Sequence, residues 1–531
     1  MSDSPSSYAV ELSGLTKVFD TVIANDNVNF KVRPGTIHGI VGENGAGKST
    51  AMKMLYGVYR PTSGAIILNG KKCDFSSPLD AIKSGIGMVH QHFMLAGPYS
   101  ALDNIILGAE PGYDSLKWMP KLLNPISRKK ARQKIERLVE QYGLSVDLDV
   151  AVEDLPVGVQ QRIEILKLLY RDARILILDE PTAVLTPQET NDLFLNLKRL
   201  KNEGKTILVI THKLKEVIGF TDRVTVFRAG KVTGEVETSE TNAQELAGLM
   251  VGRKISLQID VPMAENVGRP VLAVKGLTLR GMRGSARHRL FDVTFEVYSG
   301  EIVGIAGVEG NGQSQLLQAL VHPNESACRS AGLVKIFDSD VTEMGAEKIK
   351  ALGVGFIPED RHKEGLLLSR PLNENFLLGL QRTVHFSRFG LLANKRVIER
   401  TKAAINEYDV RPGVISATSG SLSGGNQQKL IIAREFERNP KLLIAAQPTR
   451  GVDVGAIEFI HRNIVKARDE GAAVLLISSE LDEIVTLSDR IYVMYEGQLV
   501  GHFSRETCTE KDLGLRMAGH FGVEGSASKV E

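Results

Sequence analysis

The sequence predicts an α/β fold with a mostly parallel sheet, built twice in tandem. Three observations predict it. The first is a repeat of motifs at a nearly constant offset. Gly42 to Ser49 reads GENGAGKS and Gly307 to Ser314 reads GVEGNGQS, 265 residues apart. LPVGVQQ at Leu155 and LSGGNQQ at Leu422 are 267 apart, as are LILDEPT at Leu176 and LIAAQPT at Leu443. The second is an alternating apolar strand ahead of each glycine loop: Val28, Phe30 and Val32, then Val293, Phe295 and Val297. A period of two predicts a half-buried strand. The third is the alternation, within each copy, of short apolar strands with longer helical patterns, which indicates a parallel core.

The first copy runs from about residue 8 to 252 and the second from about 269 to 519. Residues 253–268 are polar, contain Pro262, and read as a short linker. Residues 520–531 form a Gly/Ser tail. Between Gln91 and Leu155 the helix signals thicken, as in Ser127 to Tyr142, and the stretch reads as a helical insert.

Composition narrows the function. Lys and Arg number 65 against 63 Asp and Glu, a balance that gives no electrostatic footprint for nucleic acid. Cys73, Cys328 and Cys508 are far apart and form no CxxC, so neither a zinc site nor a disulfide framework is indicated. They read as reduced thiols of a cytoplasmic protein. Residues 1–7 are polar with no signal-peptide core, and no apolar run is long enough to span a bilayer. Any membrane role must come through a partner.

In chain order, Gly42-Glu43-Asn44-Gly45-Ala46-Gly47-Lys48-Ser49 fits GxxxxGK[ST] between an apolar strand, Thr36 to Val41, and a helical stretch, Lys48 to Tyr56. Glycines there let backbone N–H groups wrap phosphates, and the helix N-terminus adds a positive dipole. Lys48 would meet the β- and γ-phosphates, Ser49 would ligate Mg²⁺, and Thr50 stands beside them. An ordinary glycine turn before a helix is the plainer alternative. Ile175 to Leu178 is a buried strand ending in Asp179-Glu180. Asp179 suits a magnesium ion, which takes hard oxygen ligands, and Glu180 is placed to polarise an attacking water. Surface charge is the plainer reading of that pair. Thr206 to Ile210 is a further strand, with His212 at its tip as a γ-phosphate sensor rather than a structural histidine.

Together these motifs resemble the ABC-transporter ATPases over nearly the whole chain, roughly residues 8 to 519. The resemblance implies two tandem P-loop NTPase domains, each with a parallel core, an antiparallel β subdomain and a helical subdomain. It implies ATP and Mg²⁺ as ligands. It makes Gln91 the residue that touches Mg²⁺ and the membrane subunit, and Phe19 the residue that stacks on adenine. It also implies that ATP lies between the phosphate loop of one half and the LSGGQ-like motif of the other. Here that motif is Leu422-Ser423-Gly424-Gly425-Asn426, which offers a hydroxyl and backbone donors to the γ-phosphate.

The two copies carry complementary losses. In the second, Gln313 replaces Lys48, Ala446 replaces Asp179, Gln447 replaces Glu180, Ser479 replaces His212 and Glu359 replaces Gln91; Gly281 falls roughly opposite Phe19. Loss of a general base costs about 10²–10⁴-fold, and loss of an electrostatic stabiliser about 10²–10³-fold. The second site is expected to be slower by at least about 10⁴-fold, roughly 5 kcal/mol of barrier. In the first copy Pro156 stands for the signature serine and Val157 for a glycine. Proline has neither hydroxyl nor N–H. The undamaged signature would therefore serve the undamaged loop. Independent decay of redundant copies is the alternative, and it leaves the opposite placement of the losses unexplained.

Two fused halves with a degenerate second half resemble the energising subunit of simple-sugar and nucleoside importers. His90 to Leu95, Leu155 to Arg171 and Leu178 to Glu189 look closest to the nucleoside branch. That implies separate transmembrane permeases, an extracytoplasmic substrate-binding lipoprotein acting indirectly, and a peripheral position on the cytoplasmic face of the inner membrane. A simple sugar such as ribose or galactose is the alternative solute. A soluble ribosome-associated ABC ATPase is the alternative of another class; such proteins keep both loops and both signatures intact and carry a long charged linker. A DNA-repair ATPase would need zinc cysteines, and a non-hydrolysing scaffold would not need the complete first copy. His90 and His92 lack a third ligand for a metal.

Overall fold

The computed structural model describes residues 8–20, 22–91, 93–112, 125–182, 185, 187–252, 261–280, 288–308, 310–325, 329–517 and 519. Gly281, His92, Glu309, Cys328 and the tail 520–531 lie outside them. The chain divides into two units, Met1–Leu257 and Gln258–Glu531.

The first unit holds a six-stranded sheet in the order Lys231–Glu237, Arg223–Arg228, Ile37–Gly42, Thr206–Ile210, Ile175–Asp179, Ile86–Val89. All pairings are parallel except that of Lys231–Glu237 with Arg223–Arg228. The inner strands Ile37–Gly42, Thr206–Ile210 and Ile175–Asp179 are buried at every position, as a parallel sheet covered on both faces requires. A second, antiparallel sheet joins Val22–Val32, Val10–Phe19, Ser63–Leu68 and Lys71–Cys73. Val28, Phe30 and Val32 bury on one face of it, as their alternation predicts.

The strand read as Thr36 to Val41 runs Ile37–Gly42, because Gly42 still pairs with Phe227. The insert contains helices Ala101–Ile106 and Arg128–Tyr142. In the latter, Ala131, Ile135 and Tyr142 face the core at helical spacing, and Gly143 ends it at φ 69°, a left-handed cap.

The second unit repeats the plan. Its six-stranded sheet runs Val354–Ile357, Leu442–Ala446, Ala473–Ser478, Ile302–Ala306, Arg490–Tyr495, Gln498–Ser504. Its antiparallel sheet joins His288–Tyr298, Pro270–Arg280, Arg329–Ile336 and Ser339–Asp340. Of the segment read as a linker, Val261 is buried in this unit's core, and the backbone of Pro262 and Ala264 bonds to Arg468 and Asp489. Cys73 and Cys508 are free thiols. Among the described residues no helix is long and apolar enough to cross a membrane.

One buried group gives the first unit an acid-side weakness. His38 lies in the central strand, is 1 % exposed, and its Nε2 is 2.7 Å from Thr225 Oγ1. Burial first, and the Arg223 charge second, push its pKa from 6.5 to about 3. The unfolded chain takes up a proton as pH falls through 6.5, whereas folded His38 stays neutral down to about 3. Its contribution is therefore complete above pH 6.5 and is lost as pH falls below it, by about 2 kcal/mol at pH 5. In urea melts, the stability lost between pH 7.5 and 5 is expected to be smaller by that amount in a His38→Gln chain. Equal losses in the two chains would contradict this.

Candidate functional site

The glycine loop of the first unit joins the central strand to helix Lys48–Leu55. Two glycines are required by space. A Cβ on Gly42 would meet the Phe227 carbonyl oxygen at 2.4 Å. Gly47 sits at φ 97°, and a Cβ there would meet Ala24 O at 2.5 Å and Asn25 Nδ2 at 2.6 Å. Asn25 is fully buried and donates to Gly47 O at 3.1 Å, so strand Val22–Val32 buttresses the loop.

Lys48 is 5 % exposed and curls into the loop, donating to Gly42 O (2.7 Å) and Glu43 O (2.9 Å). Burial lowers its pKa, while Glu180, Asp179 and Glu43 oppose the shift. The cation lies within the loop rather than in solvent. Asn44 and Gly45 are exposed, and Ala46 is buried.

The acids follow from register. Asp179 pairs with Ile210, so the end of strand Ile175–Asp179 and the residues after Ile210 leave the sheet at one edge. Ser49 Oγ lies 3.4 Å from Asp179 Oδ1. Burial raises the Asp179 pKa, against the Ser49 hydrogen bond. Glu180 takes a left-handed backbone, φ 48°, with its N–H on Ile210 O at 2.9 Å. Its two carboxylate oxygens meet Gln91 Nε2 at 3.0 Å and His212 Nδ1 at 3.2 Å. Burial pulls its pKa upward, but the His212 hydrogen bond and the charges of His212, Lys48 and Lys213 outweigh it, and the pKa is lowered. At neutral pH Glu180 is a carboxylate.

The structure thus brings Lys48, Ser49, Asp179, Glu180, Gln91 and His212 together. The donor set fits a magnesium nucleotide: hard oxygens at Ser49 and Asp179, an amide at Gln91, an ammonium and a glycine cradle. Among the described residues, no cluster of three or more His, Cys, Asp or Glu could hold a metal by itself. Phe19 ends its strand 37 % exposed, edge-on to Tyr59 (centroids 5.2 Å apart), with Lys17 Nζ 4.9 Å from its ring.

The second unit keeps the scaffold and changes the chemistry. Gln447 holds the backbone of Glu180, with φ 46° and its N–H on Ile477 O at 2.7 Å. Its Oε1 accepts from Ser479 N (3.2 Å) and Oγ (3.1 Å). Ser314 Oγ donates to Glu359 Oε2 at 2.8 Å, and Arg450 lies 3.5 Å from the other oxygen of Glu359. The Gln313 side chain is buried, and its Nε2 has no hydrogen-bond partner among the described residues.

The two signatures differ in how they begin a helix. Ser423 caps helix Gly424–Phe436, its Oγ accepting from Asn426 N (3.4 Å) and Nδ2 (2.9 Å). A Cβ on Gly424 would meet Gly451 O at 2.7 Å and Arg361 Nη2 at 2.8 Å, and one on Gly425 would meet Asp453 Oδ2 at 2.6 Å. Pro156 caps helix Val157–Tyr170 with no side-chain bond, and Val157 is 40 % exposed.

The sequence reading missed Arg361. Its guanidinium donates to Arg450 O (2.6 Å), Gly451 O (3.2 Å) and Gln427 Oε1 (3.2 Å), bracing the Glu359 loop against the signature helix. Its signal in sequence is slight, an arginine two places after the Gln91 counterpart.

A family model for the ABC transporter matches residues 25–183 and 290–450. The chain is 46% identical over 512 residues to the guanosine import ATP-binding protein NupO of Bacillus subtilis (strain 168), covering 96% of this chain and 98% of that protein. It is 46% identical over 510 residues to the nucleoside import ATP-binding protein NupA of Lactococcus lactis subsp. cremoris (strain MG1363), again 96% and 98%. The glucose import ATP-binding protein TsgD13 of Haloferax volcanii is 42% identical over 533 residues, 96% of each chain.

Proposed function

The chain belongs to the ABC transporter family, and on that premise we propose that it is the ATP-hydrolysing subunit of a nucleoside importer. It works with separate transmembrane permeases on the cytoplasmic face of the membrane, and an extracytoplasmic binding lipoprotein delivers the solute. The observation that carries this reading is Glu180, a carboxylate held between Gln91 and His212 beside Lys48 and the Ser49–Asp179 pair. The loop amides, the helix dipole and Lys48 hold the triphosphate of the substrate. Glu180 polarises the water that attacks it, and His212 fixes that carboxylate. Ser49, Asp179 and Gln91 would hold a magnesium ion, which would supply charge neutralisation at the phosphate oxygens. The complementary losses in the sequence support one turnover site, in which Ser423, Gly424, Gly425 and Asn426 complete the nucleotide set of Gly42 to Thr50, with Phe19 at the base.

Two relatives named for nucleoside or guanosine import support the solute class. The relative named for glucose import favours a sugar as the second reading. All three are named for import, which leaves the ribosome-associated alternative without support. Uptake decides between the solutes. A strain deleted for this chain is expected to lose uptake of labelled guanosine or uridine and to keep that of ribose and glucose. Loss of sugar uptake with nucleoside uptake intact would overturn the nucleoside assignment.

A further inference from the structure

The three most exposed large apolar side chains among the described residues lie close together in the chain. They are Phe389 at 92 %, Val384 at 89 % and Leu391 at 76 %. Phe389 and Leu391 belong to a small hairpin of the second unit, whose strands Ser387–Arg388 and Leu391–Leu392 pair antiparallel, Arg388 against Leu391, and Val384 stands in the turn just before it. Leu392, also exposed, extends the patch.

The turn itself is disfavoured by its sequence. Phe389 and Gly390 both have positive φ, 51° and 79°, the pattern of a type I′ turn. Asn or Asp normally precedes glycine there, because their short polar side chains tolerate the left-handed region. A phenylalanine is a poor choice for that backbone and a poor choice for water. The hairpin is nevertheless firmly based. Phe386 is buried against Phe376, its N–H meets Thr383 O at 3.0 Å, and its carbonyl accepts from Ala393 N at 2.9 Å.

Charge identifies what covers the tip. From Arg382 to Ile398 the chain has no acidic residue and carries Arg382, Arg388, Lys395 and Arg396. Arg382 pairs with Glu347. Arg388, Lys395 and Arg396 are exposed, and the Arg388 guanidinium lies 5.6 Å from the Phe389 ring centroid. An exposed aromatic tip with one cation beside it and two more in the first turn of the next helix, Asn394–Glu407, has the chemistry of a segment that lies in the headgroup region of an anionic bilayer. Leu116 to Leu123 of the first copy, LKWMPKLL, holds the chain's one Trp between lysines and lies outside the described residues.

We propose that the hairpin Ser387–Leu392 is a direct contact with an anionic lipid surface. Phe389, Val384 and Leu391 enter the interface, and Arg388, Lys395 and Arg396 face the headgroups. The contact goes beyond the permease-mediated attachment of an importer ATPase.

The test is co-sedimentation of the purified full chain, without permeases, with vesicles of phosphatidylcholine alone or mixed with phosphatidylglycerol. Phe389→Asn suits the turn better than the native residue, so it leaves the fold and ATP turnover unchanged. The wild-type chain is expected to pellet with the anionic vesicles and to be released by salt. Phe389→Asn, and the triple variant Arg388→Glu/Lys395→Glu/Arg396→Glu, are each expected to lower that partition by about tenfold. Equal pelleting with neutral vesicles, no pelleting, or unchanged pelleting of the Phe389→Asn chain overturns the proposal. Weakened capture of detergent-solubilised permeases by Phe389→Asn, with vesicle binding unaltered, assigns the surface to protein instead. ATPase and uptake measurements test the importer reading separately from these outcomes.

Discussion

Replacing Glu180 with glutamine is expected to lower steady-state ATP turnover by about 10²–10⁴-fold and to leave nucleotide binding and the melting curve unchanged. The fold is safe because the second unit already shows a glutamine in this backbone. Gln447 sits at φ 46° where Glu180 sits at φ 48°, with the same N–H bond across to the neighbouring strand. What disappears is the negative charge that Gln91 and His212 hold in place. Gln447→Glu in the Glu180→Gln chain puts a carboxylate on a correct scaffold, beside Ser479 in place of His212, Ala446 in place of Asp179 and Gln313 in place of Lys48. A base without the cation and the metal-binding acid has nothing to stabilise the charge that develops on the phosphoryl oxygens. Multiple-turnover hydrolysis is expected to stay at the single variant's level. Its recovery in the double variant would show that the second site is competent.

The parts of the site legible in the sequence are those whose residue type dictates the role. A lysine after glycines at a strand–helix junction, paired acids at the end of a buried strand and a serine before two glycines each have few other uses. The parts that were not legible depend on the main chain. Arg361 acts on the carbonyls of Arg450 and Gly451, which no side chain marks. The left-handed turn at Glu180 and Gln447 is carried by non-glycine residues, so composition does not announce it. The hairpin at Ser387–Leu392 falls in a stretch counterpart to the one read as helical, and Phe-Gly is not a turn signal. The core strands were legible because burial on both faces leaves an unbroken apolar run; Thr206–Ile210 has the bounds read for it, whereas the strand read as Thr36 to Val41 moved by one residue because Gly42 still pairs.

Ser423→Arg is expected to abolish ATP turnover as fully as Lys48→Ala, although the two residues belong to different halves of the chain. This serine has a structural role distinct from the proposed catalytic one. Ser423 caps helix Gly424–Phe436, accepting from Asn426 N and Nδ2. Losing an N-cap costs about 1 kcal/mol, too little to unfold the unit and too little to remove turnover. In the role we propose for Ser423, losing a donor to the transferring phosphate costs about 10²–10³-fold. Ser423→Asp makes the separation sharp. Aspartate is as good a cap as serine and favours the helix dipole, so the melting temperature is expected to hold or rise. The same carboxylate repels a γ-phosphate, so turnover is expected to vanish. A stable Ser423→Asp chain that hydrolyses ATP at the native rate would mean that the signature of the second copy does not serve the phosphate loop of the first. The opposite placement of Pro156 and Gln313 would then be independent decay.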